Sequence, residues 1–263
     1  MPLEQKYLDL ILAAVPALQG SGAEDRLSAL YDRVVETNNR INITSLTSPI
    51  DVTLKHIVDS LSLLTCRDVL EKLERSARIC DIGCGGGFPG LPIACARPKA
   101  DITMIDSTEK KIHALKENAH ILGLENVRPL WGRGEELAGK GGAHREKYDL
   151  CLSRAVAALP VLCELCLPFV KKGGLLVAMK GARALEELDD SRKAIPMLGG
   201  TLKETLEIRL DPENLPLALF DGEEKEKILS FCEARRYLLL IEKKKETLPI
   251  YPRKWAQMVK KPL

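Results

Sequence analysis

Ile79-Cys80-Asp81-Ile82-Gly83-Cys84-Gly85-Gly86-Gly87-Phe88-Pro89-Gly90 is the stretch that decides the fold. An apolar run short enough to be a buried strand passes into a glycine-dense turn and then into a helical stretch. Glycine lets the backbone turn sharply and lets a ligand lie close against it at the start of the helix. Outward from this point, apolar runs alternate with helical stretches. Ala77–Ile82, Asp101–Asp106, Val127–Trp131, Tyr148–Ser153 and Leu175–Lys180 are expected strands. Helices are expected between them, notably over Glu109–Leu122, ended by Gly123, and over Ala158–Val170, ended near Gly173-Gly174. Such alternation predicts an α/β, Rossmann-like domain, a doubly wound and mostly parallel sheet with helices on both faces. Thr201–Ile208 and Arg235–Ile241 are expected to add an antiparallel C-terminal edge hairpin.

Ahead of the sheet the pattern is helical. Ser21 and Glu24 have capping-box spacing, and Leu27, Leu30, Tyr31, Val34 and Val35 follow at helical intervals. Ser48-Pro49 starts a second helix with proline at its first position, and Leu54, Ile57, Val58, Leu61 and Leu64 form its apolar stripe. The intervening Asn38–Thr44 reads as a polar turn. The expected organisation is a helical N-terminal extension (1–75), a nucleoside-cofactor domain (76–242) and a basic C-terminal tail (243–263). No internal repeat or low-complexity segment interrupts it.

Composition narrows the class. The chain has 263 residues, of which 45% are apolar and 29% charged, a balance that excludes disorder as the main state. No apolar stretch approaches the roughly 20 residues that span a bilayer. The opening MPLEQKYLDL lacks a basic signal-peptide start, so a cytoplasmic location is expected. Eight cysteines are too sparse for a disulfide scaffold and read as reduced thiols. The net charge of +2 hides an asymmetry: residues 243–263 carry +6 and the other 242 residues −4. Arg253, Lys254, Lys260 and Lys261, interleaved with Tyr251 and Trp255, suit a phosphate backbone, while a solvated tail is the plainer alternative.

The glycine loop admits two cofactors. Gly85-x-Gly87-x-x-Gly90 satisfies the dinucleotide fingerprint. Asp81 argues against it, because a carboxylate just before the first glycine would repel a pyrophosphate. Asp-x-Gly-x-Gly is also the arrangement of methyltransferases, in which an acid near the loop favours the methionine ammonium of S-adenosylmethionine. Asp106, at the end of the second strand, can accept from both ribose hydroxyls of either cofactor. Gly134-Glu135 follows the third strand, where a main-chain amide and a side chain can address adenine, although Glu135 can equally begin a helix. Ser153-Arg154-Ala155 ends the fourth strand, in the crevice where substrate should sit. There Arg154 can bind an anion, hold the cofactor, or form an exposed salt bridge.

These residues carry a resemblance. Asn42-Ile43-Thr44-Ser45, Lys55-His56-Ile57-Val58-Asp59-Ser60-Leu61, Asp81-Ile82-Gly83 through Phe88-Pro89-Gly90-Leu91-Pro92, Asp106-Ser107, Glu125-Asn126, Ser153-Arg154-Ala155 and Lys180-Gly181 span most of the chain. Together they resemble the bacterial methyltransferases that modify guanine N7 in 16S ribosomal RNA, also called glucose-inhibited division protein B. The resemblance implies S-adenosylmethionine as cofactor, held by Gly83, Phe88, Gly134, Glu135 and Arg154 with Asp106 on the ribose; Gly85 of the loop and Ser107 beside Asp106 complete the candidate cofactor contacts. It implies 16S ribosomal RNA, or the small-subunit particle, as partner, the family substrate being guanine 527 in the 530 loop. Cys84-Gly85-Gly86 departs from the commoner Ser/Thr-Gly-Ala/Pro, and Thr37-Asn38 stands where tryptophan is frequent. Residues 210–227 match poorly.

Guanine N7 offers an in-plane lone pair and no proton, so its methylation needs no general base and depends on proximity and orientation. His56, Asp59 and Arg154 are the candidate catalytic residues. His56 and Asp59 lie three apart on one helical face, where a simple packing contact is the alternative. Lys180, ending the fifth strand, is a candidate RNA contact. Cys163-Glu164-Leu165-Cys166 has metal-ligand spacing but no second pair, so no metal and no membrane partner are expected. Three rivals stay open: a methyltransferase acting on protein or a small molecule, an NAD-dependent oxidoreductase, and a non-catalytic RNA-binding module.

Overall fold

The computed structural model describes residues 2–75 and 77–263. The expected boundary between extension and sheet falls on Ser76, which lies outside the described residues. Seven strands form one sheet: β1 (Arg78–Ile82), β2 (Asp101–Asp106), β3 (Val127–Trp131), β4 (Tyr148–Arg154), β5 (Val170–Lys180), β6 (Gly200–Ile208) and β7 (Arg236–Lys243). Their order is β3-β2-β1-β4-β5-β7-β6, with the first five parallel and β7 antiparallel to both neighbours. The strand order reverses between β1 and β4, and the crevice above their carboxyl ends is where an open α/β sheet takes a ligand.

The helices are α1 (Gln5–Ala14), α2 (Glu24–Ile41), α3 (49–61), α4 (Arg67–Glu74), α5 (Gly90–Ala96), α6 (Glu109–Ile121), α7 (Gly134–Leu137), α8 (Leu159–Cys166), α9 (Ala184–Asp190), α10 (Ala194–Met197), α11 (Gly222–Glu233) and α12 (Trp255–Lys260). Side chains alternate across each strand and so feed two cores. Ile79, Leu150, Leu152 and Val177 face the core shared with α1, α2 and α3. Cys80, Ile82, Cys151 and Leu176 face the core shared with α8 and α12. The N-terminal helices thus cover one face of the sheet. Leu54, Ile57 and Leu61 of α3 are all 1% exposed or less, and burying each is worth about 1.5–3 kcal/mol.

The two expected edge strands pair antiparallel, joined through residues 209–235, and β7 rather than β6 lies beside β5. Polarity explains the order. Tyr237–Ile241 of β7 is apolar and buried, whereas Lys203, Glu204 and Thr205 of β6 suit an edge. Residues 210–227, which carry no sequence motif, lead into α11 and clamp the N-terminal helices. Phe220 packs 5.8 Å from Tyr7, and the Lys227 ammonium lies 2.8 Å from Asp51.

Three local expectations also change. The helix expected over Ala158–Val170 gives way after Cys166, and Val170, Gly173 and Gly174 belong to β5. Ser21 does not cap α2, which begins at Glu24 with Ala23 at its N-cap position. α2 also runs on to Ile41 and stops where Asn42 turns left-handed at φ 52°, so the turn is shorter than Asn38–Thr44. Ser48 does cap α3, its hydroxyl accepting from the Asp51 N–H at 3.2 Å.

Candidate active site

Above the carboxyl ends of β1, β2 and β4 lies a cavity of about 440 Å³. Gly83, Gly85, Phe88, Asp106, Ser107, Gly134, Glu135, Arg154 and His56 all line it. Chain order alone does not place these residues together. They meet because β1, β2, β3 and β4 run parallel and end at one edge.

The Asp106 carboxylate is set by two main-chain donors: Gly85 N–H reaches Oδ2 at 2.9 Å and Thr108 N–H reaches Oδ1 at 2.8 Å. Each oxygen keeps a further lone pair for a ligand. Gly85 is left-handed at φ 53°, and a Cβ built there meets nothing nearer than the Gly83 carbonyl oxygen at 3.9 Å. The open space beside Gly85 and the fixed carboxylate of Asp106 fit a nucleoside cofactor, with Gly132–Glu135 beyond.

Asp81 does something different from the expectation. It is fully buried and does not line the cavity; its Oδ2 accepts from the Gly90 N–H at 2.9 Å, tying the glycine loop to the start of α5. Burial raises its pKa to about 7, against the pull of that N–H.

Arg154 is the junction of the site. Its Nη1 donates to Asp59 Oδ2 at 2.7 Å and to the Lys55 carbonyl at 2.6 Å, and its Nη2 approaches His56 Nδ1 at 3.4 Å. The His56 ring stacks on Phe88, and its Nε2 lies 2.8 Å from Thr44 Oγ1. Burial, and then the Arg154 charge, lowers the His56 pKa to about 4. The ring is therefore neutral at pH 7: Nδ1 accepts from Arg154 and Nε2–H donates to Thr44. α3 makes a π-turn over Thr53–Val58, which presents His56 and Asp59 to the same guanidinium.

A second cavity, of about 620 Å³, adjoins the first through Arg154, Ala155 and Val156. Lys55, Arg154, Lys180, Arg183 and Arg236 line it, with Asp59 and Glu187 as its acids. No sequence motif marks Arg236. Its Nη1 donates to the Phe231 carbonyl, while Nε and Nη2 are buried without a hydrogen-bond partner.

Residues 23–214 match the family described as rRNA small subunit methyltransferase G. The chain belongs to that family. A protein of Alkaliphilus metalliredigens named Ribosomal RNA small subunit methyltransferase G is 39% identical over 238 residues, covering 90% of each chain. One of the same name from Desulfitobacterium hafniense is 36% identical over 265 residues, covering all of this chain and 99% of that one. In fold, the chain is similar to a crystal structure from Galdieria sulphuraria named as a sarcosine dimethylglycine methyltransferase. That match has a TM-score of 0.51 at 14% identity and covers 82% of this chain and 99% of the other.

In this member of the rRNA small subunit methyltransferase G family the plainer alternative for the C-terminal segment, a solvated tail, does not hold for all of its basic residues. Lys243 belongs to β7 and is fully buried, its ammonium satisfied by the Leu167 carbonyl, Thr247 Oγ1 and Glu146. Arg253 pairs with the wholly buried Glu164 at 2.5 Å, while its own side chain stays 24% exposed. Lys180 is likewise engaged, with Glu187 at 2.7 Å and the Ala157 carbonyl, and forms a cavity wall. Lys254, Lys260 and Lys261 are exposed. Lys111 and Trp255 also line the first cavity, and no local motif marks either as a cavity residue. Cys163 and Cys166 are buried thiols of α8. Among the described residues no group of three or more His, Cys, Asp or Glu side chains is placed to hold a metal. No helix among them is long and apolar enough to cross a membrane.

Proposed function

We propose that this chain, acting in the cytoplasm, transfers the methyl group of S-adenosylmethionine to N7 of a guanine in 16S ribosomal RNA, at nucleotide 527 of the 530 loop. The observation that carries this reading is the meeting of two cavities at Arg154, one with a nucleoside cradle and one walled by cations. Bound in the first cavity, S-adenosylmethionine supplies an activated methyl group on a sulfonium. Asp106 receives the ribose hydroxyls, and Gly134 and Glu135 address the adenine. Arg154, aligned by Asp59 and the Lys55 carbonyl, is the donor for the methionine carboxylate.

The second cavity takes the target nucleotide. N7 lies on the major-groove edge, which is deep and narrow in A-form RNA, so the base has to leave its stack to enter. The cationic walls of this cavity, Lys55, Arg183 and Arg236 among them, favour a phosphate there. His56 is neutral and already bonded through both ring nitrogens, so it orients Arg154 and Thr44 rather than taking a proton. The guanine lone pair needs none removed. What the residues provide is alignment of two ligands across one seam.

The test is incubation of the chain with labelled S-adenosylmethionine and small subunits from a strain lacking the modification. The label is expected as 7-methylguanosine at guanine 527. Label on another base, or none in 16S RNA, sinks the proposal.

A further inference from the structure

The C-terminal segment reaches the cofactor cavity. Trp255 lines it together with Gly134, Glu135 and Leu165, and the Trp255 main-chain N–H donates to Glu135 Oε1 at 3.4 Å. The strand order fixes which end of the cavity this is. Arg154 ends β4, Asp106 ends β2, and Gly134 and Glu135 follow β3, which lies at the sheet edge beyond β2. Trp255 therefore shares the part of the cavity that follows β3, beside Glu135. The other rings of the cavity, His56 and Phe88, are stacked on each other and lie beside Arg154.

Contacts within the chain set the position of Trp255. Arg145 donates from Nη1 to the Tyr251 carbonyl at 2.9 Å and from Nη2 to the Thr247 carbonyl at 2.5 Å. The Arg253 N–H and guanidinium both close on Glu164, and Met258 is fully buried. An aromatic side chain held on both sides is half-buried yet faces a cavity. It loses little conformational freedom when a second ring packs on it.

We propose that Trp255 is a cofactor-binding residue, the aromatic wall against which the adenine ring of S-adenosylmethionine packs. The C-terminal segment is then part of the cofactor site. The inference rests on the cavity being the S-adenosylmethionine site, as proposed above.

The test uses the full chain and titration calorimetry with two probes, S-adenosylmethionine and 5′-methylthioadenosine, which keeps adenine and ribose but lacks the amino acid. Trp255→Ala should weaken both by about tenfold, the scale of one base–aromatic stack. Trp255→Phe, which keeps a ring, should stay within about threefold of the parent for both probes. Trp131→Phe leaves Trp255 as the sole tryptophan, and saturating S-adenosylmethionine should then quench its emission. Trp255→Phe leaves only Trp131, whose emission should not change. The proposal is overturned if folded Trp255→Ala binds both probes within twofold of the parent. It is equally overturned if only S-adenosylmethionine is weakened, which would place the ring at the methionine end. If Trp255→Ala fails to fold, the fluorescence of Trp131→Phe decides, and an unchanged emission rejects the contact. A parent chain that binds neither probe overturns the cofactor reading itself, and this inference with it.

Discussion

The His56 ring lies 4.4 Å from the Phe88 ring, the two planes only 12° apart. A histidine from the N-terminal helices is thereby fixed against the glycine loop of the sheet. Burial and the neighbouring Arg154 hold its pKa near 4, below the ordinary 6.5. Because the folded value is the lower one, protons prefer the unfolded chain. The contribution of the neutral ring is whole above about pH 6.5 and is lost as pH falls toward 4. We expect about 2–3 kcal/mol of stability to go over that window. His56→Gln should remove most of this slope, as read by urea unfolding at intervals between pH 4 and 7. An identical slope in the variant would show that other groups cause it.

Asp81 has the opposite sign. Its folded pKa of about 7 exceeds its ordinary 3.8, so its protonated form favours the folded state. That contribution is complete below about pH 4 and is lost as pH rises through 7. Asp81→Asn keeps an oxygen for the Gly90 N–H and removes the buried charge. The variant should be more stable than the parent at pH 8, by on the order of 2–4 kcal/mol, and gain much less at pH 5. Thermal unfolding at the two pH values measures it, and equal gains at both would contradict the account.

Two glycines of one loop should fail in different ways. A Cβ on Gly87 would sit 2.4 Å from Leu91 Cδ1 at a backbone φ of 109°, so Gly87→Ala should destabilise the fold by about 2 kcal/mol or more. A Cβ on Gly85 finds open space, so Gly85→Ala should cost only about 1 kcal/mol from its left-handed backbone, while Gly85→Val should fill the cavity and weaken S-adenosylmethionine binding. Denaturant melts and ligand titrations on the same three variants separate the effects.

The basic C-terminal residues divide between fold and surface. Arg253→Ala leaves Glu164 buried without a counter-charge, though still accepting from the main-chain N–H of residue 253, and should cost about 3 kcal/mol of stability. Exchanging Lys254, Lys260 and Lys261 for glutamine should leave the melt unchanged. If these lysines meet RNA, the slope of log affinity against log salt becomes shallower by about 0.7–0.9 for each phosphate that is no longer neutralised. An unchanged slope would remove them from the RNA interface.

Much of this could be read in advance because its causes are local. β2 and β3 begin and end where alternation, aspartate and tryptophan put them; Gly85 follows from a loop motif and Asp106 from its place at the end of a strand. The rest depends on partners far along the chain. Trp255 meets Glu135 across 120 positions, and no spacing rule spans that interval. Lys243 reads as a surface cation in the sequence because its three acceptors come from separate segments. The order of β6 and β7 is within reach of the sequence, since the polar residues of β6 disqualify it from the sheet interior.

Arg154 borders both cavities and makes its hydrogen bonds to a single helix. A ligand that draws on its charge from one side alters what it can offer the other. Such a pair of sites is thermodynamically linked: whatever factor RNA imposes on S-adenosylmethionine affinity, S-adenosylmethionine imposes on RNA affinity. In the proposed reaction the positive charge would leave the sulfonium and reappear on the methylated base, passing from the first cavity to the second. Arg154 would then face a neutral cofactor product on one side and a cationic base on the other, so the affinities before and after transfer would differ for both ligands.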